Sequence, residues 1–322
     1  MSQQGMSFFR VFSAWFAPRV VEAAPQFSAQ TVKLAVISEG LNAWPLYVAK
    51  EKKLFEKEGI NVEVTLTGSS VMQLEQLTAG GFDIGFQQSD HVVRGVEQGS
   101  DLFIFMAQGQ APDLSLVVAP GIKTFADLKG RDIAVDGART GYALLLRKLL
   151  VDNGLKDGDF TFREFGGSRE RFDALKQGAA FASLLNPPFD RNLLAAGFGS
   201  LGTIKDFFPA YPGAIAAARR SWAQRHEREL IAFIRAFNAG YAWLQDPGHK
   251  AEAIRILPGR LGIEPEAAVK AFDRLARQPR PEISPEGLRQ VIDVVWEAEG
   301  YKPPKGAPEK YLDLSYLKKA SQ

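Results

Sequence analysis

The sequence predicts an α/β protein of two lobes, each built on a sheet whose strands alternate with helices. Short apolar runs alternate with longer amphipathic runs from residue 31 onward, a pattern typical of a parallel sheet with both faces covered. The alternation restarts near residue 124, which indicates a second sheet. The two series echo each other, since residues 77–86 and 175–184 both place a Gly between a helix and a strand.

The first series is justified by periodicity and by helix-start signals. Residues 60–66, INVEVTL, alternate as a half-buried strand does. Pro45 fits the first turn of a helix, and Ser70 with Gln73 forms the pattern of a capping box. The predicted strands are 31–37, 60–66, 83–87 and 102–108, and the predicted helices are 43–55, 70–79 and 91–98.

The second series follows the same rules, and the chain then becomes helical. Thr124 with Asp127 forms another capping box, and Thr140 caps a helix that reaches about residue 151. The predicted strands are 132–135, 160–165 and 181–185, separated by a helix at 168–177. After residue 212, helices are predicted at 221–245, 247–257, 264–276 and 284–299, and residues 309–320 pass from a strand or turn to a last helix.

Composition excludes several classes of function. The 39 basic and 37 acidic residues leave a formal charge of +2, so no strong field favours nucleic acid or a membrane surface. No cysteine is present, which removes disulfides, thiolate metal sites and a thiol nucleophile. The three histidines, His91, His226 and His249, form no metal-binding pair. We therefore predict neither a metal nor a cofactor.

The first thirty residues allow two interpretations. Arg10 precedes an apolar run at 11–17, and small residues come after it, as in an export signal with its cleavage site. The run is short, however, and Arg19 adds a charge soon after its end. Residues 1–30 are therefore either a signal-like segment or a disordered extension. No stretch of about 18 uncharged apolar residues, as a membrane-spanning helix needs, occurs in the sequence.

Polar and small residues follow the predicted strands at the points where the strands end. In an open parallel sheet the carboxyl ends of the strands face one crevice, where ligands bind. Backbone N–H groups at helix starts favour a ligand that accepts hydrogen bonds. The candidate ligand-binding residues are Glu39, Asn42, Trp44, Ser69, Ser70, Gln87, Gln88, Ser89, Asp136, Arg139, Thr140, Gly141, Tyr142, Asn186 and Phe189.

Each candidate also has a plainer interpretation. Ser and Thr residues stand at most helix starts merely as caps, which suits Ser70 and Ser168. Trp44 and Tyr142 could stack on a ligand or could equally pack in the core. Arg139 could clamp an anion or simply face solvent.

The charges of these loops leave the ligand open. Arg139 and the helix starts fit a small organic anion, such as a sulfonate or aromatic carboxylate. Glu39, Asp90 and Asp136 instead fit an amine-bearing ligand or solvent. The adjacent amides of Gln87 and Gln88 can offer a donor and an acceptor to a planar edge, which favours a pyrimidine-like or aromatic compound.

A helix with Tyr-x-Ala-Lys-Glu-Lys-x-Leu-Phe at 47–55 is followed by a strand with Val-Glu-Val at 62–64. With these motifs, residues 31–250 closely resemble the substrate-binding proteins of ABC transporters that handle sulfonates, nitrate and thiamine precursors, the NMT1/THI5-like family. Gly-Ser-Ser at 68–70, Phe-Asp-Ile-Gly at 82–85 and the segment 123–135 agree with it. Phe181 and Asn186-Pro-Pro depart from the family pattern, so no ligand can be carried over from a relative.

The resemblance implies a two-lobed periplasmic binding protein-like fold of type II, with a ligand cleft between the lobes. It implies crossings near 110–118 and 186–218, with lobe 1 formed by 31–115 and 214–322 and lobe 2 by 116–213. The function implied is that of an extracytoplasmic, periplasmic, monomeric protein that captures a small molecule and delivers it to the permease subunits of an ABC importer.

Two other classes of function remain open on the sequence. The first is an enzyme on the same scaffold, either a decarboxylase or lyase that uses His91 with Asp90 as an acid–base pair, or a protein similar to the pyrimidine-precursor synthases. The relatives that use cysteine lack an attacking group in this chain. The second is a sensory module or a scavenger that works without a transporter.

Overall fold

Two five-stranded sheets, each flanked by helices, form the framework of the protein. In the computed structural model, the described residues are 1, 30–37, 40–109, 112–257 and 265–322, excepting the side chain of Ala267. The signal-like or disordered segment predicted at 1–30 lies outside this part of the chain except at its two ends. No helix among the described residues is both long and apolar enough to cross a membrane.

The strands alternate with helices as the periodicity predicts, with three strands in addition. In chain order the strands are β1 Gln30–Val36, β2 Ile60–Leu66, β3 Ile84–Gln88, β4 Leu102–Ala107, β5 Ser115–Val118, β6 Arg131–Val135, β7 Phe160–Glu164, β8 Ala182–Leu185, β9 Gly199–Thr203 and β10 Ala214–Arg219. The additional strands are β5, β9 and β10, which lie in the predicted crossings between the lobes.

Both sheets are mixed rather than purely parallel, which corrects the prediction of parallel sheets. The first sheet has the order β2-β1-β3-β10-β4, and the second has the order β7-β6-β8-β5-β9. In the first sheet β10 runs antiparallel to both of its neighbours, and β5 does the same in the second sheet. The α/β class with two sheets is confirmed. The exact lobe boundaries stay a prediction.

Most helices match the predicted segments, with shifted boundaries. They are α1 Trp44–Glu51, α2 Leu54–Lys57, α3 Ser70–Ala79, α4 Ser89–Glu97, α5 Gly141–Asp152, α6 Ser168–Lys176, α7 Phe189–Ala195, α8 Ile204–Phe207, α9 Arg220–Arg225, α10 Glu227–Gln245, α11 Lys250–Ile256, α12 Pro265–Leu275, α13 Pro285–Glu299 and α14 Ser315–Ala320. The short helices α7 and α8 were not predicted. The predicted helix 43–55 is two helices, because Lys53 adopts a left-handed φ of 53° between them.

Helix starts decide which polar groups remain available for a ligand. The predicted capping box at Thr124 and Asp127 is confirmed, and it heads a short 3₁₀ helix. The cap of α3 is Ser69 rather than Ser70, since the Ser69 Oγ accepts a hydrogen bond from the Met72 N–H at 3.3 Å. Gly80 ends the same helix at a φ of 91°, as predicted for a Gly C-cap.

Two large apolar clusters hold the sheets and their helices together. One lies between the first sheet and α10, where Phe86 and Phe105 pack on Phe233. The other joins helices of both lobes, because Val291 and Val295 of α13 belong to the same cluster as residues of α4 and α5. Helix α13, one of the C-terminal helices expected to pack back on lobe 1, therefore contacts α5 as well as α4.

Candidate functional site

The first turns of α4 and α5 meet where the two lobes face each other. Gln88, at the end of β3, donates a hydrogen bond from Nε2 to the Tyr142 hydroxyl of α5 at 3.4 Å. Arg94 of α4 donates from Nη1 to the carbonyl of Arg139 at 3.1 Å. We call this region the α4–α5 junction and define it as residues 87–94 and 136–142. It brings polar strand ends from both lobes together.

Asp90 makes the tightest approach across the α4–α5 junction. Its carboxylate packs on Gly141, the first residue of α5, so closely that a Cβ at position 141 would lie 2.8 Å from the Asp90 Cγ. Only glycine, which has no Cβ, permits this contact. Helix N-termini attract negative charge, so the contact also places a carboxylate where the helix dipole favours it.

Several polar atoms of the α4–α5 junction are buried without a hydrogen bond from any described residue. Gln87 is 1% exposed, yet neither its Oε1 nor its Nε2 has a partner in the part of the chain that is described. The same holds for Asp90 Oδ1, His91 Nδ1 and Arg94 Nε. Because buried polar groups are nearly always hydrogen-bonded, a row of unpaired groups needs an explanation, and a bound ligand provides one.

Ion pairs surround this row. Arg94 donates from Nη2 to Asp90 Oδ2 at 2.7 Å, and its Nη1 lies 3.8 Å from Glu299 Oε1. Arg139 donates from Nη2 to Glu299 Oε2 at 2.9 Å. Helix α13 therefore contributes a carboxylate to the α4–α5 junction. The Arg139 side chain itself is 78% exposed, so it faces solvent as well as this pair.

The remaining loops of lobe 2 are tied to each other by hydrogen bonds. The Thr140 hydroxyl donates to Asp136 Oδ1 at 2.6 Å and accepts from the Ala143 N–H at 3.3 Å, so Thr140 caps α5 as predicted. The Ser168 hydroxyl donates to Asn186 Oδ1 at 2.6 Å. The structure thus joins the loop after β7 to the loop after β8, through a Ser that was expected to act as a cap.

Arg171 of α6 is a buried cation that the sequence does not single out. Only 4% of it is exposed. Its guanidinium donates to the Leu184 carbonyl at 2.5 Å, to the Gly166 carbonyl at 3.1 Å and to the Ser168 hydroxyl at 3.1 Å. It organises the loop ends of lobe 2. Its segment, Ser168–Lys176, carries charges along most of its length, which resembles an ordinary solvated helix.

Burial shifts the titration of three groups here. Burial lowers the pKa of His91, against an opposing effect of the neighbouring Asp90, so the imidazole is neutral at pH 7. Burial, helped by Asp136, raises the pKa of Tyr142 to about 12. Burial likewise raises the pKa of Tyr211 well above its ordinary value, with a smaller effect of Asp90. Perturbed groups of this kind concentrate at functional sites.

Some predicted site residues lie elsewhere. Trp44 is 0% exposed and packs edge-on against Phe272, which agrees with the second of its two interpretations, packing in the core. Phe189 packs on Phe172 at 5.7 Å in an apolar cluster of lobe 2, beneath the Arg169 guanidinium.

The loops after β1 and β2 form the outer part of the strand-end rim. Asn42 is exposed, and its carbonyl accepts from Gln108 Nε2 at 3.2 Å. Ser69 is exposed and serves as a cap, and Ser70 is half-buried in the first turn of α3. Ser89 is fully buried at the start of α4. The predicted ligand contact Glu39 lies outside the described residues.

No group of three His, Asp or Glu side chains suited to a metal ion occurs among the described residues. The polar row at the α4–α5 junction contains an amide, a carboxylate, an imidazole and a guanidinium. Such groups suit the hydrogen-bonding edge of an organic molecule.

Comparison with known proteins identifies relatives by sequence. The family model described as "NMT1/THI5 like" matches residues 41–250. The bicarbonate transport ATP-binding protein CmpC of Synechocystis is 25% identical over 237 residues, covering 67% of this chain and 35% of CmpC. A Brucella abortus protein named as a binding protein is 27% identical over 215 residues, 58% of this chain and 59% of its own length. The chain thus spans between about a third and three fifths of these relatives.

Solved structures show the same fold. A Bordetella bronchiseptica protein has a TM-score of 0.73 at 23% identity, covering 91% of this chain and 98% of its own. The periplasmic aliphatic sulphonate binding protein SsuA of Escherichia coli has a TM-score of 0.70 at 20% identity, covering 88% and 92%. At this identity the likeness establishes the fold alone. The predicted periplasmic binding protein-like fold is thereby confirmed.

Proposed function

Because the chain belongs to the NMT1/THI5-like family, we propose that it captures a small organic molecule between its two lobes and delivers it to an ABC importer. The observation that carries the proposal is the row of unpaired polar atoms on Gln87, Asp90 and His91, buried where the lobes meet. Desolvated groups placed in advance supply affinity without the cost of ordering them on binding.

The geometry supports capture with closure of the lobes. Contacts between the lobes at the α4–α5 junction include polar ones: the Gln88–Tyr142 hydrogen bond, the Arg94 hydrogen bond to a carbonyl and the Asp90–Gly141 contact. Polar contacts of this kind can break and re-form as the lobes move, and a ligand that bridges them shifts the balance toward the closed state.

Relatives support the transport setting. SsuA is named as a periplasmic sulphonate-binding protein, and CmpC is named for bicarbonate transport. We propose that this chain likewise works outside the cytoplasm, as a monomer, with the permease subunits of an importer as its partner. Capture of a pyrimidine-like, aromatic or sulfonate compound is the corresponding proposal for its ligand.

A ligand screen tests the proposal. A ligand at one hundred times its dissociation constant adds about 2.7 kcal/mol of stability, which a thermal-shift assay detects. Gln88→Ala and Tyr142→Ala are expected to weaken the binding of the ligand found, while Asp157→Asn, at an exposed carboxylate paired with Arg147, leaves it unchanged. Unchanged affinity in both cleft variants would place the ligand elsewhere.

The enzyme alternative depends on His91 and Asp90, whose Nε2 and Oδ2 lie 3.7 Å apart. The same pair serves as part of a binding site, which is the function proposed here, and we propose that the protein is not an enzyme. Turnover of a bound compound by the wild-type protein, abolished in His91→Ala, would contradict this.

A further inference from the structure

The positive charges around the α4–α5 junction are already engaged. Arg94 faces the carboxylates of Asp90 and Glu299, and Arg139 donates to Glu299. Arg171 directs its guanidinium to carbonyls and to the Ser168 hydroxyl. Within the described residues, Arg94 and Arg171 therefore leave no unpaired fork of two N–H groups for a carboxylate or sulfonate, the arrangement that recognises such anions best, and Arg139, whose side chain is 78% exposed, faces solvent.

The start of α5 is occupied as well. A helix N-terminus is the usual place for an anion, because its N–H groups and dipole point outward. Here the Thr140 hydroxyl already accepts from the Ala143 N–H, and the carboxylate of Asp90, 1% exposed, packs against Gly141. An anionic ligand at this position would meet a second negative charge.

Two of the polar atoms left unpaired among the described residues at the α4–α5 junction are acceptors, which need a hydrogen-bond donor. Asp90 Oδ1 and Gln87 Oε1 are buried acceptors without a partner in the described part of the chain. Gln87 Nε2 and Arg94 Nε are buried donors that also lack a partner there. His91 is neutral, and its unpaired Nδ1 donates or accepts according to the tautomer. The charge of Arg94 is balanced by Asp90 and Glu299, so its Nε contributes a hydrogen bond more than a net charge.

Given the proposed capture of a ligand in this cleft, on which this depends, we infer that Asp90 selects the charge of the ligand. The cleft takes a planar molecule that donates hydrogen bonds from a cationic or neutral nitrogen edge, such as an amidine or an aminoheterocycle, and it rejects anions. The Asp90 carboxylate receives the donor, and the Gln87 amide pairs with the adjoining donor or acceptor of the same edge.

Two probes of equal shape test the inference. Benzamidine and benzoate share a ring and a planar three-atom group, but the first is a cation that donates and the second an anion that accepts. Titration calorimetry on the wild-type protein is expected to show benzamidine binding roughly tenfold or more tightly than benzoate, the value of about one charge-assisted hydrogen bond. The affinity of neutral benzamide is expected to lie between those of benzamidine and benzoate.

Asp90→Asn tests whether this one carboxylate causes the preference for a cationic ligand. This near-isosteric change is expected to remove the preference for benzamidine, whereas Asp157→Asn, an equal change of charge at an exposed carboxylate paired with Arg147, keeps it. Persistence of the preference in Asp90→Asn would overturn the assignment to Asp90. The ranking in the wild-type protein needs no variant, so it stands even if Asp90→Asn does not fold.

The outcomes separate this inference from the function on which it depends. Benzoate or ethanesulfonate binding at least as tightly as benzamidine would overturn the charge selection while leaving ligand capture intact. If neither these probes nor any compound of a broad library stabilised the protein, both the capture function and the charge selection would be wrong.

Discussion

Gly141→Ala is the sharpest perturbation of the contact between the lobes. The added Cβ would lie 2.8 Å from the Asp90 Cγ and 2.9 Å from its Oδ2. Optimal carbon contacts are about 3.5–4.0 Å, so the two lobes must separate by about 1 Å at this point or the carboxylate must turn away. Alanine is otherwise well suited to a helix, so α5 itself is not weakened.

The magnitude follows from the cost of overpacking. One extra methyl group in a filled site costs about 1–3 kcal/mol, which corresponds to roughly a fivefold to 150-fold loss in an equilibrium constant. Because the lobes can relieve the clash by opening, the loss is expected in ligand affinity, while the free energy of unfolding changes by less than about 1 kcal/mol. Calorimetric titration with the identified ligand and urea denaturation measure the two quantities.

The matched control is Gly248→Ala. Gly248 is exposed in the turn after α10, and a Cβ placed there would meet only the Asp246 side chain, 3.1 Å from its Oδ1, so the affinity of Gly248→Ala for the ligand should stay within about twofold of wild type. Wild-type affinity in Gly141→Ala would show that Asp90 and Gly141 need not touch when the ligand is bound, and the reasoning would be refuted.

Three further predictions concern stability and its dependence on pH. Arg171→Met leaves the Leu184 and Gly166 carbonyls without their donor, so urea denaturation should show a loss of about 2–4 kcal/mol in the free energy of unfolding. Arg171→Lys should lose an intermediate amount, and a loss below about 0.5 kcal/mol in Arg171→Met would contradict the role of Arg171. The lowered pKa of His91 means that the folded state favours the neutral imidazole. Its contribution to the free energy of unfolding is therefore complete above pH 6.5 and is lost as the pH falls through the lowered pKa. The stability of His91→Gln, measured by denaturation, should depend less on acid pH than that of the wild type. The pKa of Tyr142 is raised from 10.0 to about 12, so its contribution to the free energy of unfolding is complete below pH 10 and is lost as the pH rises toward about 12. An equal loss of stability at alkaline pH in the wild type and in Tyr142→Phe would count against this.

The alternation of strands and helices could be predicted because it follows from local periodicity. The strands in the crossings could not. Strand β10 has the sequence AIAAAR, and alanine favours helices when no packing decides otherwise. It forms a strand because β3 and β4 leave a place between them. Strand β9 contains two glycines, which weaken the strand signal.

The candidate site, too, could be predicted only in part from the sequence. The polar ends of β3 and the start of α5 could be placed together, because strand ends share an edge of a sheet. Whether an aromatic residue packs inward could not be predicted from the sequence: Trp44 lies in the core, while Tyr142 lies at the α4–α5 junction. The role of Arg171 depends on carbonyls that include Leu184, more than ten residues away, which no local pattern reveals.

The approach of the lobes upon a ligand is the central claim, and a distance measurement tests it most directly. The chain contains no cysteine, so Glu75→Cys in α3 and Gln177→Cys after α6, both exposed, can carry the only spin labels. Pulsed electron spin resonance should show a distance distribution that narrows when the ligand saturates the protein, and that stays broad in Gly141→Ala. An identical distribution with and without saturating ligand would contradict capture between the lobes.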